Sequence, residues 1–203
     1  MSDRLVHLVR HGEVHNPAGV VYGRLEGFGL SDRGHRLAEA SARHLESTGR
    51  EIGVLRTSPL QRAQESAAPM AALTGLTPEL RPELLEATSR LEGKDYDVSL
   101  AILGRPEAWR FLVNPLRPSW GEPYAQVRDR MLREVKDAFD HASAGDAVLV
   151  SHQMPIWMMA RTAARRSLAH DPRRRRCALS SITSLALRDG QLVEVAYFAP
   201  EVS

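Results

Sequence analysis

The chain has little of what would place it outside the cytoplasm or in a membrane. Its one cysteine, Cys177, excludes an internal disulfide and suits a reducing compartment. Residues 1–4 have no signal-peptide pattern. No apolar run approaches the ~20 residues that a bilayer-spanning helix needs. We therefore predict a cytoplasmic protein without a membrane partner.

The chain also has no large excess of positive or negative charge, since its formal net charge is only +2 over 203 residues. Such a balance gives no reason to expect nucleic acid as a partner. The local exception comprises Arg161, Arg165, Arg166 and the arginine run 173–176, which has no interleaved aromatic residues. A solvated helix end and exposed loop explain it better than a nucleic-acid site, and it would also attract anionic substrates.

Three common designs for phosphate and metal sites are missing as well. The sequence has no glycine-rich nucleotide loop ending in Gly-Lys-Ser/Thr. Cys177 has Thr183, not an arginine, six residues on, which excludes a cysteine-phosphatase loop. His7, His11 and His15 have the spacing of one helix face, but their β-branched neighbours favour a strand and loop. We therefore predict neither a metal nor another cofactor.

Strand and helix patterns alternate along the chain. Short apolar runs predict buried strands at residues 5–9, 52–55 and 146–150. Helical patterns cover residues 31–48, 58–73, 122–141 and 153–166. Residues 182–187 and 192–198 flank Asp189-Gly190, a strong hairpin signal. The pattern predicts an α/β fold, a three-layer α/β/α sandwich with a mostly parallel central sheet and a C-terminal β-hairpin.

Arginines and histidines follow the predicted strands where these end. Arg10 and His11 come directly after the first strand. Arg62 lies in the first turn of the helix after the second strand, and His152 follows the third. Because ligands bind at the carboxyl ends of such strands, we expect these side chains to share one site. Guanidinium groups match phosphate oxygens and imidazole is a nucleophile, so the pattern predicts attack on phosphorus.

The segment before Arg62 carries the signals of a helix start. Ser58 is a natural N-cap, Pro59 suits the first helical position, and Gln61 completes a capping box with Ser58. The Arg62 cation then stands against the helix dipole, which indicates that an anion binds there.

Four segments match the motifs of a known family in order and spacing: Arg10-His11-Gly12-Glu13, Leu30-Ser31-Asp32-Arg33-Gly34, Ser58-Pro59-Leu60-Gln61-Arg62-Ala63 and Val150-Ser151-His152. From about residue 4 to residue 198, the chain resembles the histidine phosphatase superfamily, the phosphoglycerate-mutase-like proteins. The resemblance implies one domain over residues 1–203, with a variable cap insert at about 87–123.

The resemblance also implies a role for each site residue. His11 is the nucleophile that becomes phosphorylated, and its second ring nitrogen should be held by a backbone carbonyl. Arg10, Arg62 and His152 form the phosphate pocket, and His152 adds a donor if it is protonated. Glu86 is the proton donor to the leaving oxygen and later the base toward water.

Other positions match the family less closely. Asn16 lies where the family often has a polar phosphate contact, and Trp120-Gly121-Glu122 resembles a motif that borders the pocket. Val14 and Pro123 replace a usual hydroxyl residue. The stretch from Glu86 to Glu92-Gly93 is one residue shorter than usual, which leaves Glu83 as the alternative acid; we favour Glu86.

These expectations describe a metal-independent phosphomonoesterase that acts on a small phosphorylated metabolite through phosphohistidine. A phosphoglycerate mutase is the alternative enzyme, although the short middle of this chain favours hydrolysis. The non-enzymatic alternative is a phosphate-recognition or scaffold protein that keeps the arginines without turnover. The expected partner is the phosphorylated substrate, and the sequence leaves a homodimer open.

Overall fold

A computed structural model describes residues 4–89, 92–93, 121–142 and 145–202. The strands are β1 (Leu5–Arg10), β2 (Ile52–Thr57), β3 (Glu79–Leu80), β4 (Asp146–Ser151), β5 (Ile182–Arg188) and β6 (Gln191–Phe198). The helices are α1 (Asp32–Ser47), α2 (Gln61–Thr74), α3 (Tyr124–His141) and α4 (Gln153–Ala163). Short 3-10 turns lie at Pro82–Leu84 and Pro172–Arg174.

The described strands form one sheet in the order β3-β2-β4-β1-β5-β6. Pairing is parallel from β3 to β1 and antiparallel between β1, β5 and β6. Asp189 and Gly190 join β5 to β6 with positive φ angles of 49° and 74°. A two-residue hairpin turn of the type that matches strand twist needs such angles. The mostly parallel sheet and the C-terminal hairpin are confirmed, whereas β3 is too short to leave a sequence pattern.

Helices cover both faces of the sheet. Strand side chains alternate between the faces, so Val6 and Leu8 pack in one core cluster with α3 and α4. Val9 and Val148 pack in the other cluster with α1 and α2. The two clusters confirm the three-layer α/β/α architecture.

The start of α2 differs from the prediction. The helix begins at Gln61, and Leu60 occupies the N-cap position without a side-chain cap. Ser58 Oγ accepts from Leu60 N–H at 3.4 Å and lies 2.8 Å from His152 Nε2. The predicted capping box is therefore wrong, because the Ser58 hydroxyl is directed across the sheet edge toward the end of β4.

Two further predictions concern the middle of the chain and membranes. Most of the predicted cap insert, including Trp120, lies outside the described residues. Among the residues that are described, no helix has the length and apolar character to span a bilayer.

Candidate active site

The carboxyl ends of β1 and β4 lie side by side, since Arg10 pairs with Ser151 in the parallel register. The residues that follow therefore meet, and the ring centroids of His11 and His152 are 5.1 Å apart. A cavity of about 310 Å³ opens beside them, and Arg10, His11 and Glu86 line it. The structure thus brings the predicted strand-end residues to one place.

His11 is held as a neutral imidazole with one free nitrogen. Its Nδ1 donates to the Gly12 carbonyl at 2.8 Å, which leaves the Nε2 lone pair unprotonated. Burial, followed by the charges of Arg62 and Arg10, lowers the pKa of His11 to about 3. Only glycine fits at residue 12, because a Cβ there would lie 2.5 Å from the Gly34 carbonyl oxygen at the start of α1. His11 Nε2 therefore carries a free lone pair at neutral pH.

Arg10 and Arg62 are cations without an anionic partner among the described residues. Arg10 Nη1 donates to the Cys177 carbonyl at 2.6 Å, and Arg62 Nη2 donates to the Gly23 carbonyl at 2.6 Å. The Nε atom of each is buried and unpartnered. Burial lowers the pKa of Arg62, whose residue is 1% exposed. Buried cations are costly when unpaired, so the pair is suited to receive an anion.

His152 is a neutral donor in this environment. Burial, and then the neighbouring His11 and Arg62, lowers its pKa well below the ordinary value. A protonated His152, the condition under which we expect it to add a donor, is therefore disfavoured in the free protein. Leu60 N–H donates to Ser58 Oγ, whose hydroxyl can in turn donate to His152 Nε2. In that arrangement the ring proton lies on Nδ1, a buried atom without a partner.

Glu86, rather than Glu83, reaches the cavity. Burial raises the pKa of Glu86, although its hydrogen bond from Ala87 N–H at 2.8 Å and the nearby arginines oppose this shift. A carboxyl with a raised pKa can act as a general acid. The Glu83 side chain is 39% exposed, lies 4.0 Å from Arg81 and does not line the cavity.

The structure does not bring Asn16 to the cavity. Its amide closes a loop, with Nδ2 donating to the Val20 carbonyl at 2.9 Å and Oδ1 accepting from Val20 N–H at 3.2 Å. A phosphate contact by Asn16 stays a prediction, and it would require at least one of these bonds to open.

Several residues around the site have no counterpart among the residues predicted from the sequence. Tyr22 lies edge-on to His11 at 6.5 Å, and the Arg62 guanidinium lies 4.9 Å from the centroid of the Tyr22 ring. Arg175 and Gln153 line the cavity, as does Gly121-Glu122 of the predicted bordering motif. Loop positions such as Tyr22 leave no periodic signal, and Arg175 was hidden within a run of four arginines. In the described ranges, no group of three or more His, Cys, Asp or Glu residues could hold a metal ion.

Comparison with known proteins shows the family of this chain. The model of the histidine phosphatase superfamily (branch 1) matches residues 6–199. An uncharacterized protein of Mycobacterium tuberculosis strain H37Rv is 46% identical over 195 residues, which cover 96% of each chain. A phosphoglycerate mutase of Candida albicans is 30% identical over 159 residues, or 74% of this chain and 64% of that protein. The structure of a mycobacterial glucosyl-3-phosphoglycerate phosphatase with VO3 matches with a TM-score of 0.76 and 22% identity, covering 97% of this chain and 100% of the other. The chain belongs to the histidine phosphatase superfamily.

Proposed function

We propose that the protein is a phosphomonoesterase that hydrolyses a small phosphorylated metabolite through a phosphohistidine at His11. One observation carries this proposal. His152 lies beside His11, with 5.1 Å between the ring centroids, and the charges of Arg62 and Arg10 also act on His11. Each of these three neighbours has a buried nitrogen atom without a partner: Nδ1 of His152, Nε of Arg62 and Nε of Arg10. Buried polar atoms are normally satisfied, so unpartnered nitrogen atoms near His11 favour a ligand with several oxygens, such as a phosphoryl group.

The first step forms the phosphohistidine. His11 Nε2 attacks phosphorus, and the bond from phosphorus to the ester oxygen breaks. Glu86, whose protonated form burial favours, gives its proton to that oxygen as the alcohol leaves. Arg10 and Arg62 stabilise the charge on the phosphoryl oxygens. The Gly12 carbonyl accepts from Nδ1 throughout and balances the charge that forms on the imidazole.

The second step returns the site to its starting state. The Glu86 carboxylate takes a proton from water while the water oxygen attacks phosphorus. The phosphorus–nitrogen bond breaks, neutral His11 is regenerated, and inorganic phosphate leaves. Arginines and a neutral histidine stabilise the negative charge on the phosphoryl oxygens, so we expect turnover without an added divalent ion.

A phosphoglycerate mutase is the second candidate, favoured by the similarity to the Candida albicans mutase. A mutase would keep the phosphohistidine until an isomeric phosphoglycerate takes the phosphoryl group back. We propose hydrolysis because the middle of this chain is short for a mutase.

The test is a rapid-quench experiment in EDTA with a phosphorus-labelled substrate. Phosphohistidine is labile in acid and stable in base, so quenching into base should show label on the wild type. His11→Ala should carry none, whereas His15→Ala, at an exposed histidine on the same segment, should keep it. Hydrolysis releases phosphate in proportion to substrate consumed. Rapid exchange between phosphoglycerate isomers with little free phosphate would instead support the mutase.

The remaining outcomes contradict the proposal in separate ways. Loss of turnover in EDTA, restored by magnesium or zinc, would overturn metal independence. Neither label nor turnover on any phosphate ester, with phosphate still bound, would favour the phosphate-recognition protein.

A further inference from the structure

The four arginines of the run 173–176 have different surroundings. Arg173 is exposed and pairs with Asp171 at 3.1 Å. Arg176 pairs with Glu194 on β6, and Arg174 is exposed. Arg175 instead lines the cavity together with Arg10, His11 and Glu86. The expectation of a solvated loop therefore holds for its neighbours and fails for Arg175.

Neutral groups hold Arg175 in this position. Its Nε donates to His170 Nε2 at 2.9 Å, and its Nη1 donates to Gln153 Oε1 at 3.2 Å. His170 can accept because its Nδ1 donates to the Leu168 carbonyl at 2.8 Å, and burial lowers its pKa. Within the described part of the chain, no carboxylate lies within ion-pairing distance of Arg175. The guanidinium is thus oriented by neutral partners, and the Glu86 carboxylate acts on it only at a distance, without a direct ion pair.

With a phosphoryl group bound, the charges at the cavity would leave one positive charge, that of Arg175, without a balancing negative charge. His11 and His152 are neutral, and Glu86 carries a proton when it acts as an acid. Glu122, the remaining carboxylate on the cavity wall, is engaged by Arg24 and Arg130. A phosphoryl dianion can balance the charges of Arg10 and Arg62 beside His11. Nothing in that count balances a third cation.

The cavity walls also indicate room for more than a phosphoryl group. Tyr22, Ala87 and Met154 contribute apolar surface to the same cavity as Arg175. Such a mixture of apolar walls and a few oriented polar groups is typical of sites that select small molecules.

We propose that Arg175 binds a second anionic group of the substrate, a carboxylate or a second phosphate, separated from the reacting phosphoryl group by a short carbon chain. Arg175 would be a specificity residue, and the inference rests on the proposed phosphatase function. The protein would then discriminate strongly against phosphate monoesters that lack the second anion.

The test uses two matched substrate pairs. O-phosphoserine and O-phosphoethanolamine differ by a carboxylate, and propane-1,3-diol bisphosphate and monophosphate differ by the second phosphate. We expect wild-type kcat/KM to favour the member with the second anion in one pair by about 10- to 100-fold, the range for a hydrogen bond to a charged group. Arg175→Gln should abolish that preference, and Arg175→Lys should keep part of it. Arg174→Gln removes one charge from the same exposed run and should leave both preference and rate unchanged.

Each other outcome overturns one of the two proposals. The role of Arg175 would be overturned if the wild type hydrolysed all four esters with similar kcat/KM. It would also be overturned if Arg175→Gln lowered kcat/KM equally for both members of each pair. Either result would leave the phosphatase function intact. Absence of turnover and of His11 label would overturn the phosphatase function. Calorimetric titration of His11→Ala with the same pairs, with and without Arg175→Gln, then decides the role of Arg175, since equal affinities would contradict it.

Discussion

Arg56 and Arg62 are both buried, but Arg56 is paired with carboxylates and Arg62 has no carboxylate partner among the described residues. Arg56 pairs with Glu134 at 2.9 Å, Asp137 at 2.6 Å and Glu79 at 3.1 Å. Burial alone would lower its pKa, but the hydrogen bond that Arg56 donates to Asp137 and the charge of Glu134 raise it. Arg62 donates a hydrogen bond to a backbone carbonyl and lies against the Tyr22 ring, without a carboxylate partner in the described part of the chain, and burial lowers its pKa. A buried cation with anionic partners supports the fold, whereas one without them is suited to bind a ligand.

The two ends of the sheet repeat this contrast. At the amino end of β4, Asp146 accepts from Arg50 at 2.8 Å, from Leu5 N–H at 2.8 Å and from His7 at 3.1 Å. These hydrogen bonds outweigh burial and lower the Asp146 pKa. At the carboxyl end, His152 Nδ1 has no partner. Satisfied polar groups therefore close one end of the sheet, and unsatisfied groups mark the other as the site.

The largest effect should come from breaking the paired arginine. Arg56→Gln should lower the free energy of unfolding by about 3–5 kcal/mol, because Glu134 is then left buried with Arg81 alone. Urea denaturation measures this loss, while kcat of the folded protein should stay close to wild type. Arg43→Gln breaks an exposed pair with Glu39 and should cost no more than about 0.5 kcal/mol. Similar losses for the two variants would contradict the comparison.

Removing the unpaired arginine should damage turnover instead. Arg62→Ala should lower kcat by about 10²- to 10³-fold, as when one preorganised donor to a transition state is lost. Its loss of unfolding free energy should be smaller than that of Arg56→Gln, since the free protein gains little from an unpaired cation. Inorganic phosphate should raise the Tm of the wild type and not of the variant, because only the wild type binds it. A normal rate would make Arg62 a simple helix residue.

The acid assignment can be sharpened with the leaving group and with pH. Glu86→Gln should slow alkyl phosphates by about 10²-fold and nitrophenyl phosphate much less, since nitrophenolate needs little protonation. Glu86 acts as an acid only when protonated, so kcat/KM for alkyl phosphates should fall as pH rises through its raised pKa. The variant should lack this alkaline limb. Glu83→Gln is the matched control. If it slowed alkyl phosphates relative to nitrophenyl phosphate more than Glu86→Gln does, the general acid would be Glu83.

The smallest effect should come from the group that orients His152. Ser58→Ala should lower kcat by up to about tenfold, the value of one hydrogen bond. Nitrogen NMR of His152 should show its ring proton on Nδ1 in the wild type and a mixture of tautomers in Ser58→Ala. Ser58→Thr keeps the hydroxyl and should restore both rate and tautomer. An unchanged tautomer would leave Ser58 with a packing role alone.

The elements of this fold could be predicted because their signals are local. The apolar run of β1 and the apolar spacing of α3 appear in consecutive residues, and Asp189-Gly190 marks the hairpin by its backbone requirement. The site could be located because parallel strands end on one edge, which brings His11 and His152 together whatever the details of the loops.

By itself, the sequence determined the layers of the fold and which strand ends form the site, since both depend on periodicity and connection order. Only the tertiary structure decided which polar groups are paired. In the folded protein the Ser58 hydroxyl contacts His152 and does not cap a helix, and the Asn16 amide closes a loop. Arg175 lines the cavity, whereas its neighbours in the arginine run are exposed. Partners distant along the chain set these choices through burial and hydrogen bonding, and no local pattern of residues encodes them.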